Sequence, residues 1–428
     1  MTVETNELPE PGAPVQANAG FSGDAVHTTT LLGAFNDYVT RVRSGDMGSL
    51  PAISGLLVLV IIFSVANDTF AGRINIANLI TQAGPICVLA MGLVLVLLLG
   101  EIDLSAGVAG STGAMTAGLM IVDHGQGWAV ATLAALAVGA AIGLAIGLLV
   151  ARLGIPSFVV TLAFFLGLQG VMLKFIGQGG SVRFADPMLR GLAIKNIDPL
   201  VGWISAAVIV VVFALLALRT YRIQVTQNLQ HPPLSLVALR IGMVAVILFG
   251  LVAFMNQNRG RIPSFPIEGV PRMLIVVVAL LIFWTFVLTR TRYGRYLYAV
   301  GGNAEAARRA GINVARIRTS AFVACSAMAA ISGMLLAANT GSISTGSGGG
   351  NTLLYAVGAA VIGGTSLFGG RGRAIDAVIG GLVIATIANG LGLLNNASWI
   401  NYVVTGGVLL LAASVDAISR RRRSAAGV

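Results

Sequence analysis

The chain has 428 residues, of which 56% are hydrophobic and only 10% charged, with 55 glycines. Soluble domains carry nearer a quarter charged residues, so an ordinary water-soluble enzyme is excluded and the composition belongs in a bilayer. The net charge of +11 comes almost wholly from arginine, since the only lysines are Lys174 and Lys195; the arginines lie in short loops beside apolar runs rather than in one clustered domain, which argues against a nucleic-acid partner.

Residues 1–48 are polar, include Pro-Glu-Pro-Gly at 9–12, and hold no apolar core of the kind that marks a signal peptide. They read as a disordered, uncleaved tail. A membrane crossing needs roughly 20 mostly apolar residues, and such runs are expected at 50–67, 76–100, 104–122, 128–151, 157–176, 200–218, 234–255, 271–289, 317–339, 353–367, 374–394 and 399–418. The fold class is therefore all-α: a polytopic helical bundle of about 10–12 transmembrane segments with room for re-entrant pieces. Its parts are a tail at 1–48, a transmembrane domain at 49–418 and a basic tail at 419–428. The link Gly100-Glu-Ile-Asp103 is too short for a normal loop, so the second and third segments read as one broken unit, and 353–367 is short enough to be re-entrant.

Orientation follows from the arginines of short loops, which favour the cytoplasmic side. Residues 290–318 hold Arg290, Arg292, Arg295, Arg308, Arg309, Arg316 and Arg318 against the single acid Glu305, whereas 340–352 carry no charge. The first loop is expected inside and the second outside. Alternation then places both termini in the cytoplasm, with Trp128, Trp203 and Trp399 opening spans from the external side as interfacial anchors. Each half also breaks an apolar run with small and hydroxylated residues, Asp103-Leu-Ser-Ala-Gly107 early and Gly363-Gly-Thr-Ser-Leu-Phe-Gly-Gly370 late. Paired interruptions of this kind mark a transport path, because non-helical backbone at membrane depth is tolerated only against protein or a wet cavity.

Between 299 and 313 the apolar text gives way to Ala-Val-Gly-Gly-Asn-Ala-Glu-Ala-Ala-Arg-Arg-Ala-Gly-Ile-Asn. Asn303 is expected to cap a helix whose first turn carries Glu305 and whose last turn carries Arg308 and Arg309, each charge suited to the helix dipole. Gly311 supplies the left-handed residue that ends it. About two turns are too few to be stable alone. The helix must dock, with Ala306 and Ala307 as the small face that lets a partner's groove approach.

The stretch Glu305-Ala-Ala-Arg-Arg-Ala-Gly311 resembles the Glu-Ala-Ala, three residues, Gly loop motif of membrane subunits in ABC-type importers. Its longer context from Gly294 to Asn313 is similar to the ribose/xylose-type sugar permeases, as are Ile102-Asp-Leu-Ser-Ala-Gly107, Gly154-Ile-Pro-Ser-Phe-Val-Val-Thr-Leu162 and Val361-Ile-Gly-Gly-Thr-Ser-Leu-Phe-Gly-Gly-Arg-Gly372. Two apparent extra spans between 177 and 270 suit the longer, xylose-like members. Glu101 stands where that family more usually has glycine, and Asn351-Thr-Leu-Leu-Tyr355 lacks the acidic pair found there. The resemblance implies a bacterial inner-membrane permease subunit that moves a monosaccharide, a pentose such as xylose, by alternating access. Its implied partners are ATP-binding subunits inside, a periplasmic or extracellular sugar-binding protein outside, a second permease copy forming a homodimer, and membrane lipid. The coupling loop is then Asn303, Glu305, Ala306, Ala307 and Gly311.

A neutral sugar calls for hydroxyl and amide hydrogen bonds along the path, and Asp103, Ser105, Asn339, Thr365 and Ser366 are the candidates. A carboxylate at membrane depth costs about 2.5 to 3.5 kcal/mol on insertion scales; Asp103 either serves the path or caps the third segment. No cofactor is expected in this chain, because neither lysine follows a glycine as a phosphate-cradling loop requires, so ATP belongs to the partner subunits. No catalytic or metal site is expected either: His27, His124 and His231 are scattered, and Cys87 and Cys325 sit in separate apolar runs. Two rival readings remain, an ion-coupled secondary transporter using Glu101 and Asp103, and an intramembrane enzyme using Ser111.

Overall fold

The computed structural model describes residues 49–229, 231–260 and 266–394, and parts of 399–414, where each described residue is helical. The tails expected at 1–48 and 419–428 lie outside the described residues. In chain order the elements are α1 (Leu50–Ala66), α2 (Arg73–Leu97), α3 (Ala106–Val122), α4 (Trp128–Ala151), α5 (Ser157–Ile176), β1 (Ser181–Arg183), α6 (Pro187–Ile194), α7 (Pro199–Thr226), α8 (Leu234–Met255), α9 (Arg272–Arg290), α10 (Arg292–Gly302), α11 (Ala304–Arg309), α12 (Val314–Thr340), β2 (Ser342–Ser344), α13 (Asn351–Gly363) and α14 (Ala374–Leu393). Among them eight are long and apolar enough to cross a membrane, and α1, α3 and α13 are shorter apolar helices. The chain is a multi-pass helical membrane protein.

At the centre stand α2, α12 and α14, whose apolar stretches are mostly buried because other helices surround them. Residues Cys87 to Leu97 of α2 are buried without interruption. The inner bundle consists of two triplets, α2–α3–α4 and α12–α13–α14, each a long helix, a break, a shorter helix and another long helix. The first helix of each triplet packs on the second and third of the other: α12 on α3 and α4, α2 on α13 and α14. The triplets run in opposite senses. The start of α2 and the end of α12 line one cavity, while the residues after α2 pair with the start of α12 through Glu101 and Arg318.

Such close crossing depends on missing side chains. A Cβ on Gly333 of α12 would lie 2.1 Å from the Gly110 carbonyl oxygen of α3, and one on Gly143 of α4 would lie 2.4 Å from the Phe322 carbonyl oxygen. Small residues at helix interfaces in membranes permit this backbone approach.

The breaks differ from the sequence expectation in one respect. The counterpart of the α2–α3 break is the stretch between α12 and α13, residues 341–350, rather than Gly363–Gly370. Residue 348 of that stretch reaches α3, where a Cβ on Gly107 would lie 2.2 Å from its carbonyl oxygen. The run expected at 353–367 is a helix of 13 residues, roughly 20 Å at 1.5 Å per residue, too short for a hydrocarbon core of about 30 Å. It stops at Gly364, in the left-handed region at φ 118°.

Outside the inner bundle, α7 and α8 form a hairpin that meets the bundle through a small apolar cluster of Ala77, Ala206, Val252, Met255 and Val270. Helix α7 is 28 residues long where 19 were expected, and its last turns carry Arg219 and Arg222 beyond the apolar run. Strands β1 and β2 pair antiparallel, Val182 opposite Ile343, so the ends of α5 and α12 lie at one face, as the alternation of spans requires.

Candidate functional site

Two regions at opposite ends of α2 and α12 hold the polar groups. At the end marked by β1 and β2 is a cavity of about 720 Å³, within the range of small-molecule sites. Helix α2 contributes Asn78, Thr81 and Gln82, whose spacing of three and four places them on one helical face. Asn196 follows α6, and Asn339 sits near the end of α12. Behind this wall a buried amide cluster joins α2 to α14: Asn75 Nδ2 donates to Asn389 Oδ1 at 2.8 Å, Asn389 Nδ2 donates to Asn75 Oδ1 at 3.0 Å and to Gln82 Oε1 at 3.3 Å. Gln82 is thereby oriented from behind while remaining exposed to the cavity.

The loop at the cavity rim is pinned by Arg259, whose Nη2 donates to the Gly269 carbonyl at 2.9 Å and whose Nη1 donates to the Met255 carbonyl. Burial pushes the Arg259 pKa down and the Glu268 carboxylate opposes the shift; a guanidinium stays charged nonetheless. Among the described residues the cavity lining contains no acidic side chain. Its chemistry is that of amides, a hydroxyl and one tethered guanidinium, which can bind neutral hydroxyl groups as donors and acceptors.

At the other end, three segments converge on the turn after α2. The Leu98 carbonyl accepts from Gly370 N at 2.8 Å, and a Cβ on Gly301 at the end of α10 would lie 1.8 Å from the same oxygen. Glu101 Oε1 lies 3.4 Å from Arg318 Nε on α12, an ion pair without hydrogen-bond alignment. The Tyr298 hydroxyl of α10 donates to the Gly372 carbonyl at 2.6 Å. Burial raises the Tyr298 pKa, the nearby Asp376 carboxylate adds to that, and Arg373 opposes it, so the hydroxyl keeps its proton as donor. The glycines of 363–372 serve this knot by conformation: Gly369 and Gly370 both have φ near 80°, a region costly for other residues.

The exposed edge of the knot is α11. Asn303 Oδ1 accepts from Ala306 N at 2.9 Å, and Glu305 pairs with Arg308 at 3.0 Å and Arg309 at 3.2 Å. Gly311, at φ 82°, closes the helix. The sequence reading of its small face needs correction: Ala307 is buried in this chain's own core, 4% exposed, because it packs inward, and Ala306 alone of the two is exposed. Before it, α10 went unrecognised in the sequence although Gly294, Leu297 and Val300, three residues apart, form its buried stripe.

The five path residues are not brought together. Asn339 lines the polar cavity. Asp103, Ser105, Thr365 and Ser366 are buried near the inner breaks and do not line it. Asp103 Oδ1 accepts from Ser105 N at 2.9 Å and Ser105 Oγ at 2.6 Å, holding the first turn of α3 as a cap, while its Oδ2 has no partner among the described residues. Ser366 N donates to the Arg371 carbonyl and Ser366 Oγ accepts from Phe368 N at 3.2 Å, so both act in shaping the loop. Sequence reasoning missed Asn78, Thr81, Gln82, Asn196 and Arg259; the spacing of Asn78, Thr81 and Gln82 inside an otherwise apolar run was the available signal. Ser111 is buried, has no hydrogen-bond partner among the described residues, and lies against Gly348.

A multi-pass helical bundle with opposed triplets, broken helices and a polar cavity at one end defines a solute permease by architecture. Residues 75–413 match the family described as branched-chain amino acid transport system / permease component, and the chain belongs to that family. It is 33% identical over 385 residues to the xylose transport system permease protein of Escherichia coli, covering 89% of this chain and 94% of that protein. The corresponding protein of Haemophilus influenzae is 33% identical over 386 residues, 89% of this chain and 99% of that one. The ribose import permease protein of Escherichia coli is 32% identical over 390 residues, 91% and 98% of the two chains. These relatives are permeases by name, not enzymes. No solved structure matches the chain.

Proposed function

We propose that this chain is the membrane-spanning subunit of an ATP-driven importer for a neutral monosaccharide, a pentose such as xylose, in a bacterial cytoplasmic membrane. The observation that carries the reading is the polar cavity, lined by Asn78, Thr81, Gln82, Asn196 and Asn339 and, among the described residues, by no acidic side chain. Amides and hydroxyls suit a polyol; an ion-coupled carrier would need a carboxylate there, and the carboxylates it would use are engaged elsewhere, Asp103 in capping α3 and Glu101 with Arg318. The likeness to the xylose and ribose permeases supports the same substrate class.

In this reading the cavity faces the periplasm, where a sugar-binding protein delivers the substrate, and both termini are cytoplasmic. Helix α11 docks on an ATP-binding subunit, and its motion reaches the α2–α3 break through Gly301 and Arg318. A second copy completes the path as a homodimer. The chain itself holds no nucleotide or cofactor and catalyses no covalent reaction.

The test is uptake of radiolabelled xylose into proteoliposomes. The expected result is no accumulation by this chain alone under a proton or sodium gradient, and accumulation once its ATPase subunits, the binding protein and ATP are supplied. Gradient-driven accumulation by the chain alone would overturn the proposal.

A further inference from the structure

A second cavity, of about 580 Å³, lies between α4 and α12 at the end of the bundle opposite the sugar cavity, and the transport reading leaves it without a role. The two helices meet side by side there, since a Cβ on Gly147 would lie 2.7 Å from Thr319 Cα. The contact leaves a groove beside it. Leu144 and Leu148, four residues apart on α4, form one wall, and Val323, Ala324 and Ala327 of α12 form the other. At the mouth stand Arg152, just past the last residue of α4, and Arg316, in the first turn of α12.

Both arginines are exposed, and among the described residues neither guanidinium has a carboxylate partner. Among the described residues no acidic side chain lines the groove. The other polar groups at the mouth are already engaged: Thr319 Oγ1 donates to the Gly147 carbonyl, Ser320 Oγ donates to the Ile317 carbonyl, and Asn313 Oδ1 accepts from Arg316 N. Two cations at one mouth call for an anion. Walls that run as leucine and alanine into the membrane call for an apolar tail on that anion, and basic pockets between membrane helices take lipid head groups.

We propose that this groove binds one anionic phospholipid, its phosphate between Arg152 and Arg316 and one acyl chain along Leu144, Leu148 and Ala327. A zwitterionic lipid would fill the apolar walls equally well, so the arginines set a preference for phosphatidylglycerol-type head groups. The site requires only that the end of α4 and the start of α12 share a membrane face, and is independent of which solute is carried.

The experiment is native mass spectrometry of the full chain titrated with phosphatidylglycerol or phosphatidylcholine. One equivalent of phosphatidylglycerol should be retained about twenty-five-fold more tightly, from two arginines each worth roughly fivefold at an anionic surface. In the double variant Arg152→Gln, Arg316→Gln that preference should fall to within about twofold, with thermal unfolding in phosphatidylcholine micelles unchanged. Ala324→Phe, which fills the groove and leaves both arginines, should lose the tight equivalent as well. Equal retention of the two lipids by the unmodified chain would overturn the site, as would a preference that survives the double variant. Displacement of the lipid by glycerol phosphate at equal concentration would show a free-phosphate site instead, and a changed monomer–dimer balance with lipid preference intact would assign the groove to a second copy.

Discussion

The two ends of the α2–α12 pair are built by different means. The inner knot is made of backbone against backbone, with glycine at Gly301, Gly369 and Gly370 and carbonyls such as that of Leu98 as the contact atoms. The polar cavity is made of side chains held apart, with Asn78 and Gln82 exposed on one helix face. Backbone contacts tolerate almost no added volume, whereas a solvated side-chain wall tolerates truncation and changes mainly in what it binds. Substitutions should therefore cost stability at the packed seam and affinity at the cavity.

The largest effect is expected along the packed seam. Gly333→Val places a branched side chain where even a Cβ would be 2.1 Å from the Gly110 carbonyl; overpacking at the upper end of its range costs about 3 kcal/mol. Gly242→Ala on α8, with nothing within 4 Å, should stabilise by roughly 0.5 to 1 kcal/mol through helix propensity alone. Thermal unfolding in one detergent compares the two, and a Gly333→Val protein as stable as its parent would break the contrast.

At the cavity, Asn78→Ala and Asn339→Ala each remove hydrogen bonds to a neutral ligand, worth about 1 to 1.5 kcal/mol. The half-saturating sugar concentration should rise roughly fivefold to tenfold with unfolding temperature unchanged. Gln82→Ala should do the same and also lower stability, because it strips a partner from the buried Asn389 amide.

How far the sequence disclosed these two ends follows from what each is made of. Spans, caps and left-handed glycines are local, so the helices of the inner bundle and the Asn303 to Gly311 unit were readable from spacing and residue type. The pairing of the two breaks was not, because α2 meets α14 and α12 meets α4 across more than 170 residues of sequence, and glycine-rich text looks alike wherever it occurs. Thr365 and Ser366 suggested a path by composition, yet both are buried, and Ser366 hydrogen-bonds within its own loop. The face formed by Asn78, Thr81 and Gln82 could be read from their spacing, but it becomes a cavity wall only once the end of α12 is placed beside it.

Within the knot, the Glu101–Arg318 pair tests whether its segments move as a unit. Both side chains are partly buried, at 15% and 32% exposure, so their coupling should exceed that of an open surface pair and amount to about 1 kcal/mol. Glu101→Gln should lower ATP-driven uptake a fewfold while leaving recovery of the ATPase subunit intact, and the exchanged pair Glu101→Arg, Arg318→Glu should restore part of it. Additive losses in the double-mutant cycle would mean that the two residues act separately.

The smallest effect is expected at α11, which is local and exposed. Asn303→Ala leaves the Ala306 amide without its side-chain acceptor and removes about 1 kcal/mol of helix stability, whereas Asn303→Asp keeps the acceptor and adds a charge that the helix N-terminus favours. Because α11 has only six residues and gains little from propensity, that loss should appear as fraying, seen as faster amide exchange confined to residues 304–310, with global unfolding unchanged. If α11 is the ATPase contact, recovery of the ATPase subunit should fall with Asn303→Ala and persist with Asn303→Asp. Glu305→Arg sharpens the same test: it breaks two exposed ion pairs worth only a few tenths of a kcal/mol each, yet reverses the charge offered to a partner. Weak fraying with strong loss of the subunit would separate docking chemistry from helix stability, and equal recovery across all three variants would remove α11 from the interface.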